Sequence, residues 1–457
     1  MMGRQDAPQG ALFYDFSLER IVPEGHLLRR IDGVLDLSGI REELQPFYSA
    51  DGRPSIDPDL MIRMLLVGYC YGIRSERRLC EEVRFNLAYR WFCRLGLEDP
   101  IPDHSTFSKN RHGRFRQSDL FRRLFERVVE ACISARLVGA EGFAVDASVI
   151  EADASRFHPS DPQEIVWPDE PSRAVREYLA ALDAGLPNED DPEPQAPRKL
   201  SETDPASAWT TKGRMRVCFA YAANYLIDNE NAVIMDVETT PARMSLEVAS
   251  TKTMLTRTEA RHGIKPKYIA GDTAYGSANL LGWLVKHKID PHTPVWDKGD
   301  REGTFSRSDF IYDAEADHYT CPNGKSLVKH RRNFKSARDK PPKDDLWRYR
   351  ASQRDCRPCP LKEACCPGQP MRKILRSIHE DARDKAREIM KTEAFERSSK
   401  ERKKVEMLFA HLKGIHNMSR LRLRGPAGAR DEMLLAATAQ NLRKLAKLTT
   451  QSMPRAA

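Results

Sequence analysis

From residue 15 to residue 97, apolar positions recur every three or four residues, the period of helices that bury one face. Asp57 followed by Pro58 marks a helix start, and Leu60, Met61, Met64, Leu65 and Tyr69 supply its apolar stripe. A second helix is expected behind Arg74, Arg77 and Arg78, with Leu79 and Val83 facing inward, and a third over Leu87, Trp91 and Phe92. After Pro100 and Pro102 another opens at Asp103 and carries Lys109, Arg111, Arg114 and Arg116. Short helices with basic outer faces suit a helix-turn-helix-like module, and equally a plain helical bundle.

The texture changes at Glu141. Gly142-Phe143-Ala144-Val145-Asp146 reads as a short buried strand closed by a carboxylate. Arg216 to Leu226 and Ala232 to Thr239 read as paired strands with a turn at Asp228-Asn229-Glu230. Ser245 to Arg261 reads as a helix, Lys267 to Asp272 as a second strand closed by a carboxylate, and Ser277 to Lys286 as a helix after it. Strands alternating with helices imply an α/β core. Residues 157 to 200 hold eight prolines and the acidic run Glu189-Asp190-Asp191, and are expected to form a surface insertion with one helix near Ala174 to Leu182. Residues 296 to 370 break the rhythm. A helical pattern resumes near His379 and runs, interrupted at Arg424-Gly425-Pro426, to Leu448.

At 457 residues, 40% hydrophobic and 31% charged, the chain is expected to make two or three soluble globular domains. No run approaches the ~18 apolar residues of a membrane span, and Met1 to Gly10 is polar; the expectation is a cytoplasmic protein. The net charge of +8 says little, but Arg397 to Arg424 holds nine Lys or Arg against two Glu. Such a stripe suits phosphate contacts, or a solvated helix face.

Of ten cysteines, Cys70, Cys80, Cys93, Cys132 and Cys218 are scattered among apolar residues, whereas Cys321, Cys356, Cys359, Cys365 and Cys366 crowd together. Cys321-Pro-Asn-Gly-Lys resembles half a zinc knuckle, and Cys356-Arg-Pro-Cys359 is a C-x2-C pair. Cys321, Cys356, Cys359 and Cys365 would close a structural Zn²⁺ site, with Cys366 a rival for the fourth place. Zinc would order an insertion that shows little apolar core. Lys325, Lys329, His330, Arg331, Arg332 and Lys335 around it are expected at DNA phosphates.

Three carboxylates stand out: Asp146 and Asp272 at strand ends, and Glu406 on a helix. Val405, Leu408, Phe409, Leu412 and Ile415 form the apolar stripe of that helix. Glu406 is expected at its edge, facing the sheet, with Arg402 and Lys413 in nearly the same direction. Such carboxylates serve as caps or ion-pair partners, or hold two divalent ions for phosphodiester chemistry.

In order along the chain come Val145-Asp146-Ala147-Ser148, then Gly271-Asp272-Thr273-Ala274-Tyr275-Gly276-Ser277, then Arg402 to Lys413 with the spacing R-x3-E-x6-K, then Met418-Ser419-Arg420-Leu421-Arg422-Leu423-Arg424-Gly425. Together they resemble the DDE transposases of bacterial insertion sequences. Leu65 to Tyr69 and Ser105-Thr106-Phe107 are similar to that group's helical DNA-binding domain. The resemblance implies a ribonuclease-H-like mixed sheet flanked by helices, an N-terminal all-α domain and a Cys-rich insertion. It carries the triad to Asp146, Asp272 and Glu406, holding two Mg²⁺ (Mn²⁺ substituting). DNA contacts are expected at Arg402, Lys413, Arg420, Arg422, Arg424, Lys109 and Arg111. It further implies cleavage at terminal inverted repeats, transfer of a 3′-hydroxyl to target DNA without a covalent enzyme intermediate, a homodimer on double-stranded DNA, and association with the bacterial nucleoid. Two departures stand out: Ser399 replaces a frequent Tyr before the motif Arg, and Asp146-Ala147-Ser148 replaces a frequent Asp-Gly-Thr.

The expected segments are a helical domain over 15–125, a first catalytic part over 138–295, the Cys-rich insertion over 296–370 and a helical part over 371–448. A catalytically inactive, transposase-derived DNA-binding protein is the alternative, though all three acids are present. A zinc-dependent hydrolase is a third reading, against which an all-Cys ligand set argues, because such sites are closed.

Overall fold

The computed structural model describes residues 16–49, 51, 55–183, 197–211, 216–295, 303–330 and 345–451. The acidic run Glu189-Asp190-Asp191, the Met1 to Gly10 segment, Arg331, Arg332 and Lys335 lie outside them. Contacts divide the chain into a first unit of residues 1–140, 145–265 and 403–457 and a second of residues 141–144 and 266–402.

In the first unit the N-terminal helices begin on side-chain caps. Asp57 accepts from the Asp59 N–H at 3.0 Å to open Pro58–Cys70. Asn86 accepts from Ala88 and Tyr89 to open Leu87–Phe92, and Asp103 from Ser105 at 2.8 Å to open His104–His112. Each cap satisfies an orphan helix N–H, worth about 1 kcal/mol. These helices do not form a unit of their own. The helix Gly425–Gln451 packs on Leu27–Asp32, Pro58–Cys70 and Leu120–Ser134. It is buried on most sides, with Ala429, Met433, Leu435, Ala437, Leu442 and Leu445 at most 2% exposed and the polar Glu432 and Asn441 buried beside them, as befits a helix at the centre of a core.

Strand β1 spans Gly142–Glu151, β2 Ala208–Thr210, β3 Cys218–Asp228 and β4 Ile234–Pro241. In the first unit β3 pairs antiparallel with β2 and with β4, and β4 packs against Gly425–Gln451. Asn441 of that helix accepts from the Ile234 N–H at 2.9 Å and donates to the Ile234 carbonyl at 2.8 Å, meeting both backbone groups of one strand residue. The expected β3–β4 pairing and the Met244–His262 helix are thus present.

The second unit holds the start of β1 beside β5, Tyr268–Ala270, and β6, Asp290–His292, all parallel. Ser277 caps the crossover helix Ala278–Lys286, which packs on the helix Glu380–Ile389 through Leu281, Val295, Ala382 and Ala386. A separate antiparallel sheet follows, in the order β11-β10-β9-β8-β7: β7 is Ile311–Asp313, β8 His318–Thr320, β9 Ser326–Lys329, β10 Leu346–Arg350 and β11 Lys373–Ser377. The Cys-rich segment therefore does have an apolar core. Phe310, Tyr319, Leu327, Tyr349, Ala351 and Ile374 are buried, with Cys321, Cys356 and Cys365 packed against them. Its strands are too short for an alternating pattern to be visible, and two aromatic edges (Tyr319 to Tyr349, 5.1 Å) carry the packing. The sheet also extends to Ser377, past the expected boundary at 370.

Candidate active site

Asp146 does not close its strand. β1 continues through Ala147, Ser148, Val149 and Ile150, all buried, to Glu151, so the half-buried Asp146 stands mid-strand. The buried, β-branched Val149 and Ile150 extend the strand where the lone acid had suggested an end. Asp146 Oδ1 accepts from the Ala147 N–H at 2.7 Å.

Asp272 follows β5 directly after Gly271 and is half-buried. It caps the short turn Thr273–Tyr275, its Oδ1 accepting from the Ala274 N–H at 2.8 Å. The turn is tight on both sides: a Cβ on Gly276 would meet the Pro294 carbonyl at 2.5 Å, and one on Gly271 would meet Tyr275 at 2.9 Å. Glycines at these two points let the chain turn sharply at the acid.

Glu406 lies in the helix Glu393–Gly414. Val405, Leu408, Phe409 and Leu412 are buried as expected, but Ile415 is 43% exposed and Glu406 itself faces solvent. A position about 100° from the stripe clears its edge here, so the expectation that Glu406 faces the sheet is not met. Arg402 and Lys413 are half-buried.

Two further acids follow Asp146 closely along the chain, and both lie against arginines. Glu151, at the end of β1, bridges to Arg420, its carbonyl accepting from Leu421 N–H at 2.7 Å. Asp153 pairs with Arg420 at 3.2 Å and with Arg424 at 2.9 Å. Arg420 and Arg424, expected at DNA, are half-exposed and shared with that carboxylate. Lys109 and Arg422 are exposed. Arg111 is not a surface cation: it is 5% exposed and paired with Glu76, because its helix face packs on its neighbours. Lys329 is held by Asp317 at 3.2 Å and lies 3.8 Å over the Trp347 ring.

The five clustered cysteines line one cavity. At its mouth Cys321-Pro322-Asn323-Gly324 turns through Gly324 at φ +70, and Cys321 Sγ accepts from the Lys325 N–H at 3.3 Å. Burial pushes the Cys356 thiol up, and burial together with neighbouring Cys366 pushes Cys365 up to about 11. Among the described residues no three His, Cys, Asp or Glu side chains are arranged to hold a metal ion. Nor is any described helix long and apolar enough to cross a membrane.

Sequence reasoning missed the acid–base cluster around Arg74, whose partner Glu432 lies 2.7 Å away on the central helix. A separation of several hundred residues leaves no local signal for that pair.

An N-terminal helical region followed by a mixed α/β core with carboxylates on β1 and just after β5 is the build of a DDE transposase, an enzyme class that acts on DNA. Residues 16–113 match the family described as Transposase domain (DUF772), and residues 320–446 the family described as Transposase DDE domain. The regions covered by the two matches are those of a DDE-type transposase. The second match takes in Arg402, Glu406, Lys413 and the Cys cluster, while Asp146 and Asp272 fall between the two. The chain is also similar to a cryo-EM structure of the piggyBac transposase synaptic complex with hairpin DNA, at TM-score 0.35 and 9% identity over 94% of this chain and 77% of that one.

Proposed function

We propose that this transposase cleaves DNA at the ends of its element and joins the freed 3′-hydroxyl to target DNA, using Asp146, Asp272 and Glu406 as its catalytic carboxylates. The observation that carries the reading is one of register. β1 and β5 are parallel and their last pair is Ala144 with Ala270; Asp146 and Asp272 each follow two residues later. The two acids thus stand at the same step beyond one register pair of the second unit's parallel strands, as the resemblance to the family implies. Glu406 adds a solvent-facing carboxylate on a helix.

The donor chemistry fits hard cations, which take oxygen ligands and tolerate half-exposed carboxylates. Two bound Mg²⁺, or Mn²⁺ in their place, would supply the positive charge that stabilises attacking and leaving oxygens. Arg402 and Lys413, one turn before and two turns after Glu406, hold the flanking phosphates; exposed Lys109 and Arg422, with half-exposed Arg420 and Arg424, add backbone contacts. Because two ends must be held together, we propose a homodimer on DNA, acting in the bacterial cytoplasm at the nucleoid. A structural Zn²⁺ on Cys321, Cys356, Cys359 and Cys365 belongs to the same proposal, supported by the shared cavity of the thiols; metal content of the purified chain reads it directly.

The test is Asp272→Asn. Strand nicking in Mg²⁺ is expected to fall at least about a thousandfold, as when a residue that acts as part of a unit is lost, with binding of element ends nearly unchanged. A variant that still joins ends to target shows the triad to be misassigned.

A further inference from the structure

A partly enclosed cavity of about 180 Å³ in the first unit is lined by Tyr69, Arg74, Glu76, Arg111, Arg422 and Glu432, among others. Arg74 and Arg111 are nearly sealed, each with 6% side-chain exposure. Each has one carboxylate partner. Arg74 Nη2 donates to Glu432 Oε2 at 2.7 Å, and Arg111 Nη1 donates to Glu76.

Those carboxylates do not use up the arginines. Glu432 is itself fully engaged: besides Arg74, its oxygens accept from the Arg422 N–H at 3.1 and 3.2 Å and from the Leu423 N–H at 3.1 Å. What remains unpartnered in the buried space is all donor: Arg74 Nε and Nη1, and Arg111 Nε. The Arg74 guanidinium lies 4.8 Å over the Tyr69 ring, which fixes its plane.

Buried N–H groups of a guanidinium that lack an acceptor are costly, and native structures rarely leave them so. A partner that brings oxygen acceptors and negative charge, and presents them to planar forks, would meet these donors. A phosphate group does all three. The cavity is also reachable. Arg74 and Arg422 line an adjoining hollow together with Ser419 and Arg420, so the sealed arginines connect to a surface that bears further cations.

We propose that this arginine cavity takes a phosphate group of a DNA strand. The inference rests on the reading of DNA as the substrate, but its residues are none of the three carboxylates, so the two can fail separately. Asp272→Asn tests cleavage and leaves the cavity untouched.

The experiment uses the full chain and the paired variant Arg74→Met with Glu432→Gln. Removing both charges strands neither in the interior, and the amide oxygen introduced by Glu432→Gln can still accept the two backbone N–H groups. DNA affinity is measured across a salt series, and thermal melting is measured with and without inorganic phosphate at constant ionic strength. The variant is expected to melt cooperatively, to bind DNA about tenfold more weakly, and to show a log affinity against log salt slope shallower by about 0.9, the value of one lost phosphate contact. A melting rise with free phosphate in the wild type but not the variant shows that the cavity also accepts the free ion. No such rise, with the slope still reduced, shows that it accepts phosphate only within a strand. An unchanged slope and affinity in the folded variant overturn the proposal, even if free phosphate raises the melting temperature. Should the paired variant fail to fold, Arg74→Lys keeps the charge beside Glu432 but loses the planar fork, and an unaltered DNA affinity there overturns it as well.

Discussion

Two basic stretches of the first unit look alike in sequence and do different work. In the N-terminal helices several arginines are turned inward, although Arg77, Arg78 and Arg84 are exposed. Arg63 is 7% exposed and holds Asp32 at 2.7 Å and Asp59 at 2.9 Å, and Arg90 is 3% exposed and donates to the Gly96 and Asp99 carbonyls at 2.8 and 2.9 Å. Between residues 403 and 424, by contrast, Lys403, Arg420, Arg422 and Arg424 are exposed. Where a short helix packs on a neighbour, a guanidinium on that face lays its stem along apolar side chains and its fork reaches a carboxylate or a helix-end carbonyl. Lys403 lies on a long helix with one buried stripe, and Arg420, Arg422 and Arg424 on the connection between that helix and the next, and both leave side chains to solvent. Density of positive charge is therefore a guide to a DNA-facing surface only where the element has a surface to spare.

The largest test of this contrast is Arg122→Met. Arg122 is 8% exposed, donating to Asp236 at 2.6 Å and to the Val237 carbonyl at 3.0 Å. Its loss is expected to cost about 3 kcal/mol in urea unfolding, since buried Asp236 loses one of its two guanidinium partners and keeps Arg257 and the Val237 N–H; a cost under about 0.5 kcal/mol would erase the distinction between the two stretches.

The next effect concerns His416, buried at the end of the basic stretch, with Nδ1 2.8 Å from the Tyr69 carbonyl. Burial, helped by Arg443, His411 and Arg74, brings its pKa down to about 4. The unfolded chain then binds a proton from about pH 6.5 that the folded one refuses until about pH 4. Stability is full above the upper value and falls on acidification, by on the order of 3 kcal/mol across that window. Asp204 and Asp431, lifted to about 6 by burial, act in the opposite sense. The difference between wild type and His416→Gln isolates the ring: it should shrink as the pH drops from 6.5 to 4.5, and a constant difference refutes the assignment.

The smallest expected effect on stability is at Lys109. Lys109→Ala, at an exposed site, should stay within about 0.5 kcal/mol of wild type while lowering the salt slope of DNA binding by about 0.9. Equal slopes would remove Lys109 from the phosphate contacts.

Local periodicity made most elements legible. The helix starts at Asp57, Asp103 and Ser277, the β3–β4 pairing and the Glu380–Ile389 helix beginning just after His379 all follow from caps and apolar spacing. What stayed hidden depends on partners far along the chain. That β1 runs on past Asp146 is decided by its neighbours, not by the acid. β7 to β11 have at most five residues each, too few for alternation to register. Whether Arg111 faces water or Glu76 depends on how two helices pack. The three carboxylates were legible as residues, through the order and spacing of their motifs; the equal offset of Asp146 and Asp272 from the β1–β5 register emerged only with the strands paired.

The helix Gly425–Gln451 has a consequence for how this protein comes into being. It is the hub on which Leu27–Asp32, Pro58–Cys70 and Leu120–Ser134 rest, yet a ribosome makes it after all of them. Until it emerges, those early helices have only one another to pack on, and synthesis halted upstream of Gly425 leaves them without the helix they share. The interior of the first unit is thereby completed only by the last part of the chain to be made.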